Sequence, residues 1–293
     1  MAQATWIGVS AVAMWAALAL LTDLTGVIPP FQLAAMTFSL GTLVGFAFRG
    51  LVGAEAPGKP VPPAVWLIGV GGLFGYHFLY FTALRHAPAA EASLVAYLWP
   101  LLIVLGSALM PGERLRWHHL AGAGFGLAGT ALLVLKDGGM GFEGRHAFGL
   151  ACAGGCALVW SSYSLLSRRF SAVPTSTVAW VCLATALLSL LCHLLLEETV
   201  WPRGASQWLA VAALGLGPVG AAFYAWDFGV KRGNLPLLGA LSYLSPLLST
   251  LVLVAAGRAE PTARIALACL LITAGAVLAA KSLIVRRAAP KPA

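Results

Sequence analysis

Apolar runs long enough to cross a bilayer recur from Trp6 to Leu283, interrupted only by short stretches rich in charge, proline or glycine. A spanning helix needs about 20 such residues. Within hydrocarbon, only helices and closed barrels satisfy every backbone group. The runs lie at about 5–22, 31–48, 64–85, 90–110, 117–135, 147–167, 175–196, 206–230, 235–256 and 264–284. The expected fold is therefore an all-α membrane protein of ten transmembrane helices. Of 293 residues, 60% are hydrophobic and only 10% charged, against roughly 25% charged in a soluble domain. A soluble enzyme, a nucleic-acid-binding protein and a single-anchor receptor are excluded. The first run has no basic n-region or small-residue cleavage site and reads as a retained helix.

The net charge of +8 reads as a topology signal, because no basic run is long enough to grip nucleic acid. With a cytoplasmic N-terminus, twelve of the 18 Lys and Arg residues fall in inner loops or the tail and six in outer ones. Both termini are thus expected inside. The cysteines Cys152, Cys156, Cys182, Cys192 and Cys269 lie within apolar runs and read as small buried hydrophobes. No metal or cofactor is expected.

The chain repeats itself. A shift of 145 aligns Trp15 with Trp160 and Pro29 with Pro174. A shift of 146 aligns Gly71 with Gly217, Arg85 with Lys231, Gly129 with Gly275, and Tyr97-Leu98-Trp99-Pro100 with Tyr243-Leu244-Ser245-Pro246. Trp, Tyr, Pro and Gly do not match by chance as leucines do. The halves are expected at 5–136 and 147–284, with a cytoplasmic basic tail at 285–293. A unit of five helices is odd, so the second copy enters from the opposite side. Inverted repeats around a central cavity suit alternating access.

Trp6, Trp66, Trp117, Trp201 and Trp208 fall at helix ends, where indoles usually sit at the membrane interface. All six tyrosines lie within spans instead, as do Trp15, Trp99 and Trp160. A phenol or indole N–H facing lipid would lack a partner, so these groups should face one another or a cavity. Tyr76 and Tyr80 share a helix face beside His77, and Trp160 and Tyr163 are three apart. Tyr97 and Tyr243 each precede a proline that can open a carbonyl. The expected substrate-binding set is Trp15, Tyr76, His77, Tyr80, Tyr97, Trp99, Trp160, Tyr163 and Tyr243. Apart from Glu91 at the very start of its run, Asp227 is the only carboxylate inside a span, and Lys231 follows at ion-pair spacing. The two read either as a local pair or as a contact for substrate or coupling ion. Gly71, Gly75, Gly217 and Pro218, with Pro100 and Pro246, are the expected hinge or gate positions. Lys281 is expected to snorkel to the interface.

These features resemble the drug/metabolite transporter superfamily, in particular its ten-helix members made of two EamA-type repeats. The resemblance spans nearly the whole chain and rests on Trp15 with Pro29, Trp160 with Pro174, and Gly112-Glu113-Arg114. The Gly-Tyr-His-Phe-Leu-Tyr stretch at 75–80 and Tyr97-Leu98-Trp99-Pro100 look most like bacterial aromatic amino acid exporters. Many EamA repeats carry an Arg in their second helix, and Leu33 to Phe38 offers none. The resemblance implies an inner-membrane exporter of aromatic and other apolar amino acids, with helices 1, 3, 4, 6, 8 and 9 around the cavity. Such a chain is expected to act as a monomer in the lipid bilayer, without nucleic acid. A multidrug or other metabolite exporter would share this fold. A membrane-embedded enzyme would need a nucleophile with its base, or metal ligands, at depth, and the sequence has no Gly-x-Ser-x-Gly or His-Glu-x-x-His.

Overall fold

The computed structural model describes residues 2–52, 60–111, 115–135, 144–258 and 260–279, which are helical with no strand among them. The Gly112-Glu113-Arg114 step, Lys281 and the basic tail at 285–293 lie outside the described residues. The helices are α1 (Ala2–Leu24), α2 (Pro30–Val52), α3 (Pro63–His86), α4 (Glu91–Ser107), α5 (Trp117–Val134), α6 (Ala147–Arg169), α7 (Thr177–Leu196), α8 (Ala205–Arg232), α9 (Leu235–Ala255) and α10 (Ala263–Ala279). Seven described helices are long and apolar enough to cross a membrane, namely α1, α2, α3, α6, α7, α8 and α9. Helices α4 and α10 are apolar but shorter.

Local chemistry sets the ends. Pro30, Pro63 and Pro236 sit in first turns, where a missing N–H costs nothing. Asn234 caps α9 by accepting from Leu237 N at 3.0 Å. Gly26 and Gly204 turn the chain into α2 and α8 with φ of +74° and +89°, which a side chain would resist. Leu43, Leu109, Leu195 and Leu270 are exposed, an outward apolar surface that suits lipid and not water.

Helix α1 lies along α8 as α3 lies along α6, while α2 packs on α7, α4 on α9 and α5 on α10. Bare backbone makes several of these contacts possible. A Cβ on Gly229 would stand 2.5 Å from Gly8 Cα. A Cβ on Gly122 would stand 2.6 Å from Gly275 O, and one on Gly129 would stand 3.0 Å from Ala268 O. Residues 122 and 275 become 268 and 129 under the 146-residue shift, so α5 and α10 meet through two equivalent contacts.

Counterpart helices run in opposite directions. The first residues of α2 meet the residue after α7, because Glu197 accepts from Phe31 N and Gln32 N at 3.1 Å. The end of α6 reaches the end of α8 and the start of α1: Arg168 donates to Gly233 O at 2.8 Å, and Gly233 lies against Thr5. One end of the bundle thus gathers the start of α1, the end of α6, the start of α7 and the end of α8. The other gathers the start of α2 and the ends of α3 and α7, where Arg85 pairs with Glu197 at 3.2 Å.

Glu197 is buried and also accepts from His193 Nδ1 at 3.1 Å. Its carboxylate satisfies two N–H groups that α2 cannot bond internally. Glu197→Ala is expected to leave those groups and His193 Nδ1 without their carboxylate, a loss of about 1–3 kcal/mol. A thermal melt of the detergent-solubilised protein checks this. An unchanged midpoint would refute it.

Both α3 and α8 contain one widened π-helical turn, at Gly71–Gly75 and Gly217–Ala221. These are the same positions under the 146-residue shift. The expected hinge residues Gly71 and Gly75 bound the first turn, and Gly217 and Pro218 begin the second. Helix α4 breaks at Tyr97 and Leu98, just before Pro100, and α9 at Ser242 and Tyr243, just before Pro246.

Candidate substrate site

The two π-helical turns and the break in α4 border a knot of aromatic rings. Trp15 of α1, Trp99 of α4, Trp160 of α6 and Trp226 of α8 all touch one another, with centroids 5.3 to 6.3 Å apart in all six pairs. Most of these contacts are edge-to-face or tilted, the arrangement the ring quadrupole favours. Phe223 lies 6.1 Å from Trp15 and stacks on Phe38 at 5.5 Å. His77 completes this wall, 5.1 Å from Phe38 and 6.4 Å from Phe223.

A second group of rings joins through Trp160. Tyr76 lies 5.7 Å from it and Tyr163 5.2 Å, and Tyr76 stacks on Tyr80 at 5.9 Å. Trp99, Trp160, Tyr163 and Trp226 are buried, whereas Trp15, Tyr76, His77, Tyr80 and Tyr97 remain half-buried. In this conformation the indoles fill the centre, and the tyrosines and the histidine form its accessible face.

Several polar edges of the knot have partners. Trp226 Nε1 donates to Ser164 Oγ at 3.0 Å, and that hydroxyl donates to Trp160 O at 2.9 Å. Tyr80 and Ser93 share a hydroxyl hydrogen bond of 3.0 Å. The π-helical turns supply the other acceptors. A π-helical turn displaces carbonyls from the regular ladder; Leu73 O in the first bonds His77 Nδ1 at 2.7 Å, and Pro218 O in the second accepts from Trp15 Nε1 at 3.0 Å. A carbonyl can only accept, so in a neutral His77 ring Nδ1 carries the proton and Nε2 is left as an acceptor.

Eight of the nine residues expected to bind substrate lie in or beside this knot. Tyr243 does not: its ring lies on Gly126 of α5, in a separate apolar cluster of α4, α5, α9 and α10. The carbonyl opened near Pro100 also departs from expectation. Pro100 O faces α9, where a Cβ on Gly239 would stand 3.1 Å from it. The backbone carbonyls that bond side chains of the knot are those of Leu73 and Pro218 instead.

The sequence reading missed Phe38, Phe223 and Trp226. The repeat register held the signal for two of them. Tyr80 shifts by 146 onto Trp226, and His77 onto Phe223. Phe38 had no such mark, being one phenylalanine among 13.

Asp227 and Lys231 are both buried and pair at 2.9 Å. Thr175 Oγ1 donates to Asp227 Oδ2 at 2.8 Å, and Lys231 Nζ donates to Val173 O at 3.1 Å. The pair sits at the end of the bundle that holds the start of α1. It lines a narrow cleft, open in part to solvent, together with Ile68, Gly69, Tyr163, Ser167 and Val181.

Helices long enough to span a bilayer, wrapped around a buried aromatic knot with glycine-rich widened turns, describe a membrane transporter of small molecules. The chain belongs to the EamA-like transporter family, which matches residues 3–135 and again 147–281. It is a transporter rather than an enzyme. It is 57% identical over 289 residues to the aromatic amino acid exporter YddG of Ancylobacter novellus, covering 97% of this chain and 99% of that one. The Escherichia coli protein of the same name is 25% identical over 85% of this chain and 86% of its own. A probable terminal-alkyne amino-acid exporter of Streptantibioticus cattleyicolor is 26% identical over 84% of this chain and 82% of its own. A solved crystal structure of a protein 57% identical to this one superposes with a TM-score of 0.90, over 94% of this chain and 98% of that one.

Tyr80→Phe removes one hydroxyl and leaves Ser93 without its partner. The expected cost is about 1 kcal/mol of stability. A thermal melt of the detergent-solubilised protein checks it, and an unchanged midpoint would refute it.

Proposed function

We propose that this chain exports aromatic and other apolar amino acids across a bacterial inner membrane by alternating access. The observation that carries the reading is the aromatic knot. Its rings offer stacking and edge contacts to an apolar side chain. On its accessible face, His77 and the tyrosine hydroxyls can receive an ammonium and a carboxylate. The names of the relatives agree with that chemistry.

The proposed architecture is ten crossings in two inverted halves, 5–136 and 147–284, with both termini cytoplasmic and the protein working as a monomer. Three features support the inversion. Counterpart helices run antiparallel, the π-helical turns fall in one register, and α5 meets α10 through two equivalent contacts. Rocking about Gly71–Gly75 and Gly217–Ala221 would then alternate access. Helix α1 carries no glutamate for proton exchange, and the simplest energetics are downhill facilitation.

Radiolabelled phenylalanine or tryptophan flux into proteoliposomes, with and without an imposed proton gradient, tests this. Saturable uptake independent of the gradient is the expected result. Transport of bulky organic cations with no amino acid flux would replace it with a multidrug reading.

A further inference from the structure

The cleft at the end of α8 is separate from the aromatic knot but shares a wall with it, since Tyr163 lines the cleft and packs its ring on Trp160 at 5.2 Å. Two charged groups stand in that wall. Asp227 Oδ2 is fully used, by Lys231 and by Thr175. Asp227 Oδ1 accepts nothing from the described residues. Lys231 carries three N–H donors, and two of them are committed, to Asp227 and to Val173 O. One acceptor oxygen and one ammonium proton are therefore left over, side by side, at a cleft that shares Tyr163 with the site.

The opposite end of the bundle has a comparable pair whose carboxylate has no such surplus. Arg85 is the counterpart of Lys231, and its partner Glu197 already receives Phe31 N, Gln32 N, His193 and Arg85. Both of its oxygens are occupied. That pair holds structure together, whereas the Asp227–Lys231 pair has free capacity.

We propose that Asp227 and Lys231 form a loading site for the zwitterionic head of the substrate. This rests on the amino acid reading above. The α-ammonium of the incoming molecule binds Asp227 Oδ1 and its carboxylate takes the spare proton of Lys231. Its side chain points past Tyr163 towards the knot. The same event acts on the gate. Asp227 and Lys231 fasten α8 to Thr175 and Val173, in the turn between α6 and α7. Separating two buried charges with nothing to replace them is strongly unfavourable. A zwitterion supplies an opposite charge to each, so it lets the fastening part only when a substrate is present. An amine or a carboxylic acid alone satisfies one charge and strands the other.

The test measures inhibition of labelled phenylalanine flux by phenylalanine, phenylalaninamide, N-acetylphenylalanine and the uncharged N-acetylphenylalaninamide. The wild type is expected to prefer the zwitterion at least tenfold over each analogue. The double variant Asp227→Leu with Lys231→Met removes both charges together, so it keeps a neutral interior and strands neither ion. Its preference should fall to within about threefold. A double variant that keeps the wild-type preference overturns the proposal and leaves amino acid export standing. A wild type that carries no amino acid at all overturns both.

A measurement on the unmutated protein covers the case in which the double variant does not fold. Dicyclohexylcarbodiimide labels accessible carboxyl groups in membranes, and peptide mass spectrometry reads the yield at Asp227. Phenylalanine should protect Asp227 from the reagent and N-acetylphenylalaninamide should not. Equal protection by both, or by neither, overturns the proposal.

Discussion

Trp160→Ala is expected to reduce phenylalanine kcat/KM by at least tenfold, the largest effect of any single change at the site. Trp160 touches more rings than its neighbours do: Trp15, Trp99, Trp226, Tyr76, Tyr163 and Phe223 all lie within 6.3 Å of it. Each edge or tilted contact is worth about 0.5–1.5 kcal/mol beyond buried area, and truncating a buried Trp costs about 3–5 kcal/mol. Removing this ring unties the two groups of aromatics from each other. Trp160→Phe keeps an aromatic face and should recover part of the flux. Size-exclusion profiles of both variants separate a lost site from a lost fold. A folded Trp160→Ala protein with wild-type flux would remove the knot from the mechanism.

Gly229→Leu is expected to cost the folded protein outright. The obstacle to a Cβ at Gly229 is the backbone of α1, with Gly8 Cα at 2.5 Å and Gly8 N at 3.0 Å. Backbone cannot rotate away as a side chain does, so the helices must separate. Trp15 of α1 would then withdraw from Trp226 and from Pro218 O on α8. Overpacking of this kind costs about 1–3 kcal/mol and occasionally more. The expected readout is loss of the monodisperse peak in mild detergent. Gly124→Ala is the matched control, with nothing within 4 Å of its added methyl, and it should behave as wild type. A folded, active Gly229→Leu protein would show that the α1–α8 contact is dispensable.

Much of the helical fold was legible because hydropathy acts along the chain. A run such as Thr177–Leu196 reports its own length and apolarity. Aromatic residues at mid-span were legible for a similar reason: an indole N–H or phenol far from water implies a partner. What the partner is depends on how helices face each other, and that is decided by contacts between distant segments. Tyr243 met the same criterion as Tyr97 yet points to Gly126, since α9 turns that face towards α5. The receiving carbonyls at Leu73 and Pro218 were invisible, because a π-helical turn is a backbone choice that glycine permits without dictating. Glu197 gave no signal either. It follows the last residue of α7, and its role at the start of α2 depends on a contact 166 positions away. Asp227 and Lys231 were legible as a pair from their spacing alone, whereas the cleft beside them was not.

The equivalent contacts between α5 and α10 have an evolutionary consequence. A surface in which residue 122 meets 275 while 129 meets 268 is self-complementary, so a single-unit ancestor could have used it to hold two separate molecules together. In such an ancestor every substitution would strike both sides of the centre, and joining the two units in one chain would end that constraint. His77 and Phe223 occupy matched positions and touch, as Tyr80 and Trp226 occupy matched positions with different polar edges. The fused protein could thus evolve one wettable wall and one oily wall from a single template, which an amphipathic cargo requires and a symmetric pair of identical chains could not provide.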